Sequence, residues 1–310
     1  MRKKIAVMCV GIMIFNLVAQ SAGVPVVNAG ENQALGKEPQ LVETVYETKD
    51  AVIADCIPTE MGYDVDPTGM TDSTAGIKKA LNDCYEAGGG TVYLPAGNYI
   101  ISDTIYIPPY VTLQGDWQDP DVGTEYGTII SVRMESADTE DRGAFSMGGS
   151  AGAVGLTVYY PLQSLESVVP YPYTFYVDGK GVNFALSTIR NVTIINGYRG
   201  IGTSSANPHE LLQVENVKGT FLYCGIGVAN SSDVGTMKNV VISNKYWKEA
   251  AADCMNAVSA SGIDAYTRAH TTGLMLGDLE WTEFSNITVE GCAIGIHTVP
   301  GTRIEFAGSM

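Results

Sequence analysis

The stretch from residue 62 to 115 constrains the fold of this 310-residue chain more than any other segment. Asp72 or Ser73 can begin a helix by accepting a backbone N–H group. The apolar residues that follow recur every three or four positions, which places them on one face of a helix: Ile77, Ala80, Leu81 and Cys84. Three consecutive glycines at 88–90 then end the pattern. We therefore predict one short amphipathic helix.

Four short strands follow the glycines. They are Thr91–Leu94 and Tyr99–Ile101 on either side of a Pro-Ala-Gly-Asn turn, Thr104–Ile107 before two prolines, and Val111–Gly115. One helix that leads into a series of short strands is typical of the cap at the end of a β-solenoid.

At these residues the chain resembles the N-terminal segment of the pectate-lyase superfamily, in particular its rhamnogalacturonase A/B and epimerase-like family. The family pattern joins an Asp-x-Thr-Gly turn, an Asp-Ser or Asp-Thr helix start, a Gly-Gly-Gly-x-Val-x-Leu-Pro-x-Gly-x-Tyr strand pair and a closing Val-x-Leu-x-Gly. It is matched at 66–69, 72–74, 88–99 and 111–115. The resemblance implies an all-β fold, a right-handed parallel β-helix with an N-terminal capping α-helix. It leaves the reaction open, because relatives include hydrolases, lyases, epimerases and phage tailspikes.

A weak internal repeat continues the pattern beyond residue 115. An asparagine followed by a β-branched strand occurs at Asn191, Asn216, Asn239 and Asn286, with separations of 25, 23 and 47 residues. The first two separations match one β-helix coil, and the third matches two. Stacked asparagines could form a ladder of side-chain amides, or each could serve its own turn. An Ala-rich run fills the longest separation, and we predict a helical excursion near 247–269, either as a groove wall or as a decorative loop.

Composition divides the chain into three parts. Three basic residues, an apolar run over 5–18 and small residues at 27–29 predict a secretory signal peptide at 1–29, with an uncleaved membrane anchor as the alternative. Residues 30–49 are polar and lack periodicity, which indicates a linker. Residues 50–310 form the predicted β-helix domain. We expect it to be truncated at its C-terminus, because no terminal cap follows the last strand-like run at 303–306.

The signal peptide predicts a protein that is secreted or held at the cell surface, without a membrane span after cleavage. The chain without residues 1–29 carries 15 basic and 34 acidic side chains, a net charge of −19. Such a charge repels nucleic acid and anionic membranes, so neither is expected as a partner. If the partner is a polysaccharide, this charge favours a neutral or methyl-esterified glycan. The alternative is that the acidity is a general property of secreted proteins and carries no information about the partner. We expect a monomer.

Cysteines and histidines show no metal-site pattern. Five cysteines remain after cleavage, without CxxC spacing, and the three histidines are scattered. We expect no structural metal and no disulfide framework, although Cys56 and Cys84 could pair across the cap. No cofactor is expected either, except calcium if the protein is a lyase. The acidic residues of the cap are assigned to turns, with a calcium site as the alternative: Asp64, Asp66 and Asp72.

Hydrolysis of a glycosidic bond requires two carboxylates in one groove. The best local pair is Asp278 and Glu280, because residues two apart in a strand share a face. This face is expected to lie below the helical excursion. Trp281 beside the pair and Tyr173 in an aromatic-rich zone are the predicted substrate contacts, since aromatic rings pack on the C–H surface of sugars. The alternative is that Asp278 and Glu280 belong to a solvated strand edge.

Catalytic residues cannot be transferred from the related polygalacturonases. Their Asn-Thr-Asp, Asp-Asp and Gly-His-Gly motifs are absent, and Arg303-Ile304-Glu305 stands where an Arg-x-Lys would be expected. A lyase base could be Arg190, Arg199 or Lys180, none of which has neighbouring aspartate clusters. The sequence therefore predicts a glycoside hydrolase that acts on plant cell-wall or other extracellular polysaccharide. A calcium-dependent polysaccharide lyase and a non-catalytic glycan-binding surface protein are the alternatives.

Overall fold

The computed structural model describes residues 38–123, 125–134, 142–179, 186–253 and 258–306, with the backbone alone at 251–253. The predicted signal peptide lies outside these residues. The helices are α1 Thr74–Glu86, α2 Lys245–Asp253 and α3 Ile263–His270. The strands are β1 Gln40–Val42, β2 Val52–Ala54, β3 Thr68–Asp72, β4 Gly90–Leu94, β5 Gly97–Ile101, β6 Ile105–Ile107, β7 Val111–Gly115, β8 Thr128–Val132, β9 Gly143–Met147, β10 Gly152–Tyr159, β11 Tyr173–Val177, β12 Thr188–Thr203, β13 His209–Glu210, β14 Gln213–Val228, β15 Ser231–Ser232, β16 Thr236–Ile242, β17 Thr272–Leu276, β18 Leu279–Val289, β19 Ile294–Thr298 and β20 Ile304–Phe306.

These strands form a parallel β-helix with three faces, as the sequence predicts. Face 1 stacks β4, β7 and the early parts of β10, β12, β14 and β16, followed by 283–285 of β18. Face 2 stacks β3, β5, β8 and the parts of the same long strands that follow. Face 3 stacks β6, β9, β11, the ends of β12 and β14, β17 and β19. Short pairings among β13, β15, β18 and β20 lie at the corner between faces 3 and 1.

Helix α1 covers the first coils with the predicted apolar stripe. All four stripe residues, Ile77, Ala80, Leu81 and Cys84, are fully buried. Asp72 Oδ1 accepts the N–H of Thr74 at 2.7 Å, which confirms Asp72 as a residue that satisfies the start of α1. Ser73 does not serve this purpose, because its hydroxyl instead accepts the N–H of Asp66 at 2.9 Å.

The carboxylate of Asp66 organises the turn before α1. Its two oxygens accept bonds from the hydroxyl and N–H groups of Thr68 and Thr71 and from the N–H of Met70. These donors, Thr68 first, hold the pKa of Asp66 well below its usual range. A carboxylate already engaged by five donors is poorly available to calcium. Within the described ranges, no three His, Cys, Asp or Glu side chains converge as metal ligands.

The two cysteines beneath the cap are not bonded to each other. Cys56 and Cys84 are both buried free thiols, so the pairing considered from sequence is not formed. Burial raises the pKa of the Cys56 thiol to about 11 and that of Cys84 to about 12. Both therefore act as small apolar core residues rather than as reactive thiolates.

The interior consists of columns in which each coil contributes one residue. On face 3 the register aligns Phe145, Phe175, Ile201, Ile226 and Leu274. The rings of Phe145 and Phe175 stack with centroids 5.1 Å apart. Neighbouring parallel strands lie about 4.8 Å apart, so equivalent side chains of successive coils are in contact throughout the core.

A second column follows the corner between faces 1 and 2. The register places six residues there, and we call them the corner column: Gly115, Gly155, Asn191, Asn216, Asn239 and Asn286. The four asparagines have φ angles of 51° to 55°, the left-handed region that asparagine tolerates. Asn216 donates to Asn191 and Asn286 donates to Asn239, each at 2.9 Å. Each asparagine therefore makes its own turn, and the amides also pair within two of the three neighbouring pairs. The prediction that the 47 residues from Asn239 to Asn286 form two coils is wrong, because the register places these residues in adjacent coils and the helical excursion accounts for the additional length.

The predicted helical excursion is present as α2 and α3. It leaves the β-helix at the corner between faces 2 and 3 and packs Trp247, Ala250 and Ile263 against Ile195 and Leu222. The indole N–H of Trp247 donates to the carbonyl of Val258 at 2.8 Å. None of the described helices has the length and apolar character needed to cross a bilayer.

The described part of the predicted linker lies against the β-helix. Strand β1 pairs antiparallel with β2, and Asp116 accepts the N–H groups of Val45 at 2.5 Å and Tyr46 at 3.3 Å. Asp50 pairs with Arg190 at 2.8 Å. We call residues 38–55 the N-terminal strap, because these contacts hold them along the outside of the coils.

Candidate functional site

Asp278, Glu280 and Trp281 lie at the corner between faces 3 and 1. Asp278 directly precedes β18, and Glu280 and Trp281 are the second and third residues of that strand. This differs from the expected position below the helical excursion, which leaves the β-helix at the corner between faces 2 and 3. Strand β17 crosses the whole of face 3 between the two, and sequence proximity does not reveal this separation.

The two predicted catalytic carboxylates contact the same arginine. Asp278 Oδ1 accepts the backbone N–H of Arg303 at 2.8 Å, and the Arg303 guanidinium forms an ion pair with Glu280. Arg303 Nε also lies 3.6 Å from Glu305 Oε1. We call these four residues the Arg303 cluster. It lies on the surface, since 38% of the Glu280 side chain and 60% of the Arg303 side chain are exposed.

Leu279 fixes the direction of both carboxylates. It is fully buried, its N–H donates to the carbonyl of Arg303 at 2.8 Å, and it pairs with Ile304 in the next coil. Successive side chains in a strand point to opposite sides. An inward Leu279 therefore turns Asp278 and Glu280 outward together, as the i and i+2 spacing predicts.

Trp281 provides an aromatic surface beside the cluster. Its φ angle is 49°, a left-handed turn in which the chain bends from the corner toward face 1. The side chain is 54% exposed. An exposed indole beside two carboxylates and a guanidinium offers both a sugar platform and hydrogen-bonding groups.

Tyr173 lies three coils earlier, on face 3, and is only 8% exposed. Its ring covers Gly202, where a Cβ atom would lie 2.5 Å from Tyr173 Cδ2. Its hydroxyl reaches Gly227 of the following coil. The structure thus does not place Tyr173 with Trp281, and Tyr173 is almost entirely buried.

Next to Tyr173 an arginine is enclosed by aromatic rings. The guanidinium of Arg199 lies 5.0 Å from the ring centroid of Tyr198 and 4.9 Å from that of Tyr223. It also lies 6.0 Å from the Tyr173 ring, and it donates to the carbonyl of Tyr171 at 3.2 Å. Cation–π contacts of this kind stabilise a buried charge. These contacts hold the Arg199 guanidinium and the surrounding tyrosine rings in place on the outer side of face 3.

Comparison with known proteins gives the family of this β-helix. The profile described as rhamnogalacturonase A/epimerase, pectate lyase-like matches residues 61–304, which include helix α1, strands of all three faces and three of the four residues of the Arg303 cluster, Asp278, Glu280 and Arg303. The chain belongs to this family. The resemblance of the opening segment is thereby confirmed over most of the chain.

Individual relatives of this pectate lyase-like chain match over shorter stretches. Mannuronan C5-epimerase AlgE5 from Azotobacter vinelandii is 59% identical over 34 residues, which cover 11% of this chain and 3% of that protein. Alginate lyase 7 from the same organism is 29% identical over 161 residues, 46% of this chain and 17% of that protein. The match therefore spans less than a fifth of either relative. Among solved structures, bacteriophage phi29 gene product 12 is 13% identical with a TM-score of 0.45, over 74% of this chain and 29% of that one.

The basic residues considered for lyase chemistry are engaged in structural contacts. Arg199 is buried among tyrosines, and Arg190 pairs with Asp50 of the N-terminal strap. Lys180 lies outside the described residues. Neither Arg190 nor Arg199 is therefore presented to solvent as a free base in this family member.

His209 is a buried imidazole at the same corner as the Arg303 cluster. It is 1% exposed, and neither ring nitrogen has a hydrogen-bond partner among the described residues. Burial lowers the pKa of His209 to about 4, so the ring is neutral near pH 7. It lies inside the corner and does not contribute a charge to the surface.

Arg303 and Glu305 are the members of the cluster that the sequence interpretation did not name as site residues. Arg303 follows Asp278 by 25 residues, the same interval that separates Asn191 from Asn216. Residues one coil apart are stacked neighbours in a β-helix. The coil period thus contained the signal that places Arg303 beside Asp278, in the register that pairs Leu279 with Ile304.

Proposed function

We propose that the protein is a glycoside hydrolase that acts on plant cell-wall or other extracellular polysaccharide, and that the Arg303 cluster carries the reaction. The observation behind this proposal is that Asp278 and Glu280 turn outward together and meet on Arg303 beside the exposed Trp281. Most glycoside hydrolases use a pair of carboxylates, and an adjacent aromatic ring can pack on the sugar. Secretion or attachment to the cell surface belongs to the same proposal.

The contacts suggest a division of roles within the pair. Glu280 is ion-paired with the guanidinium, which suits a carboxylate that acts as base or nucleophile rather than as proton donor. Asp278 uses Oδ1 for the N–H of Arg303, which leaves Oδ2 to exchange a proton with the glycosidic oxygen. Trp281 supplies a platform for a sugar ring, whereas Tyr173 is buried three coils away and is given no role at this site.

A polysaccharide lyase is the second candidate, because one matched relative is an alginate lyase and others are mannuronan epimerases. A lyase of this kind would need calcium. The net charge of the chain supports the hydrolase, since an acidic surface disfavours a polyuronate substrate. A glycan-binding protein without activity is the third possibility.

Incubation of the full chain with a panel of neutral and acidic polysaccharides separates these functions. A hydrolase releases reducing ends without ultraviolet absorbance. A lyase generates an unsaturated product that absorbs in the ultraviolet, and only in the presence of calcium. Binding to a polysaccharide without either product contradicts both enzymatic proposals.

A further inference from the structure

A polar groove of about 720 Å³ follows the corner between faces 1 and 2, a corner different from that of the Arg303 cluster. All six residues of the corner column line it and form its floor. At about 4.8 Å per coil the floor is roughly 24 Å long. This volume is typical of sites for small molecules and short oligomers. The shape is that of a channel parallel to the β-helix axis.

Two segments form the walls of this groove. On the side of face 1 the N-terminal strap is held by the ion pair of Asp50 with Arg190. On the side of face 2 the segment 116–121 is held by Lys218, which pairs with Asp119 and with Asp121, the latter at 2.8 Å. Both walls are fixed by contacts to the strands that flank the corner column. The shape of the groove is therefore fixed by the β-helix itself.

The amide ladder on the floor is interrupted at its centre. In both observed bonds the later asparagine donates through Nδ2 to Oδ1 of the earlier one. A continuous ladder would need the same bond from Asn239 to Asn216, and no such bond is formed between these two described residues. Asn216 Oδ1 and Asn239 Nδ2 are thus an acceptor and a donor in adjacent coils, both on the groove floor.

We propose that this groove binds a neutral glycan chain along the corner column, with a sugar hydroxyl that bridges Asn216 and Asn239. A hydroxyl group is both donor and acceptor, so one hydroxyl can accept from Asn239 Nδ2 and donate to Asn216 Oδ1. Planar amides beside an aromatic ring are suited to sugars. Trp117 lines the groove, with its indole N–H fixed on Thr193 Oγ1 at 2.9 Å.

The charge of the groove selects against acidic glycans. Six carboxylate side chains and three cationic side chains line it. Arg190 and Lys218 are already neutralised by wall carboxylates, so little positive charge remains for a uronate. The excess of carboxylates repels a polyanion, whereas neutral hydroxyls bear no such cost. The expected ligand is a neutral oligosaccharide.

The test uses two pairs of variants of the full chain and a panel of soluble neutral hexasaccharides from cellulose, xylan, galactan and arabinan, with hexagalacturonate as the acidic comparison. Asn216→Gly and Asn191→Gly both lose the hydrogen bond between Asn216 and Asn191. Only Asn216→Gly also removes Oδ1 of Asn216, the acceptor proposed for the sugar hydroxyl. Asn239→Gly and Asn286→Gly form the second pair in the same way. Glycine keeps the left-handed turn, so all four variants should fold.

We expect at least one neutral hexasaccharide to bind, measured by titration calorimetry. Asn216→Gly and Asn239→Gly should weaken its affinity at least tenfold, while Asn191→Gly and Asn286→Gly should stay within threefold of the parent chain. Equal losses within each pair overturn the bridging role. Absence of binding by every neutral hexasaccharide, or tighter binding of hexagalacturonate, overturns the proposal itself.

This inference does not depend on hydrolysis at the Arg303 cluster. Asp278→Asn should leave hexasaccharide binding in the groove unchanged. If no polysaccharide is cleaved but the paired variants behave as expected, the groove is a binding site in a protein without the proposed activity. If cleavage occurs but the pairs do not differ, the groove proposal alone is wrong.

Discussion

Asn216 Nδ2 lies 2.9 Å from Asn191 Oδ1, one coil earlier in the β-helix, and both residues have left-handed backbones. At these two positions of the corner column, asparagine thus satisfies two requirements. It tolerates the positive φ angle of the turn, and it pairs laterally with the amide of the neighbouring coil.

Substitution of Asn191 should separate these two contributions. Asn191→Gly loses one hydrogen bond, worth about 1 kcal/mol. Asn191→Ala also places an ordinary side chain in the left-handed region, which costs a further amount of about 1–2 kcal/mol. Denaturant unfolding should therefore rank the parent chain above the glycine variant and the glycine variant above the alanine variant. Equal stability of the two variants would show that the backbone angle imposes no cost there.

Removal of the charges of Asp278 and Glu280 should abolish polysaccharide cleavage. Asp278→Asn and Glu280→Gln should each lower the rate by about 10² to 10⁴, the range typical of general acid or base groups. Glu283→Gln is the matched control, because Glu283 is exposed on the same strand, three residues after Glu280. Release of reducing ends and thermal unfolding are measured on all three. Parental rates in the first two variants would remove both residues from the site.

Gly202 should not accept a side chain. The Cβ atom of Gly202→Ala would lie 2.5 Å from the ring of Tyr173, which is itself packed against face 3. Overpacking of this kind costs about 1–3 kcal/mol. Gly295→Ala is the control, since Gly295 is also in face 3 and has no atoms within 4 Å of the Cβ position. The two substitutions should differ clearly in unfolding free energy, and similar values would contradict the tight contact with Tyr173.

Buried His209 should make the protein less stable as the pH falls. The unfolded imidazole has a pKa near 6.5, whereas the pKa of His209 in the folded protein is about 4. Between these values the unfolded chain binds the additional proton, so stability is full above pH 6.5 and declines toward pH 4. The loss is on the order of 3 kcal/mol.

His209→Gln removes this titration. Urea unfolding at several pH values should show a smaller decline between pH 6.5 and pH 4 in His209→Gln than in the parent chain. His297→Gln serves as the control, because His297 is partly exposed on β19. The same pH slope in His209→Gln and the parent chain would show that His209 is not held neutral by the fold.

Asp116 should control the attachment of the N-terminal strap. It is 3% exposed and accepts the N–H groups of Val45 and Tyr46. Asp116→Ala leaves both donors without this partner, which should speed proteolysis within residues 43–50. Asp103→Ala, at an exposed carboxylate paired with Lys78, should not change the cleavage rate. Identical cleavage of both variants would mean that other contacts hold the strap.

Most features with a local or periodic signal were predicted correctly from the sequence. The cap helix, the four strands after it, the one-coil steps from Asn191 to Asn216 and Asn239, and the excursion all follow from local spacing. The step from Asn239 to Asn286 was wrongly predicted as two coils, because the excursion lengthens a single coil. The positions of these elements around the β-helix axis did not follow from local spacing. Asp278 and the excursion lie at different corners because a strand of five residues, β17, is enough to cross a face.

Burial by the next coil was also beyond the sequence interpretation. Tyr173 resembles an exposed sugar platform in its local Tyr-Pro-Tyr context, yet glycines at 202 and 227 make room for its ring on the outer side of face 3. Similarly, the groove depends on Asp50 and Arg190, which are 140 residues apart in the chain. Such contacts become visible only once the coil register is known.

The corner column also determines how such a protein can change its ligand. Every coil, whether it has 23 residues or 47, adds one position to the groove floor. Duplication or deletion of a coil would lengthen or shorten the groove by one step of about 4.8 Å and leave the walls of the remaining coils intact. The length of the bound oligomer could therefore evolve through changes in the number of coils, rather than by remodelling of a pocket.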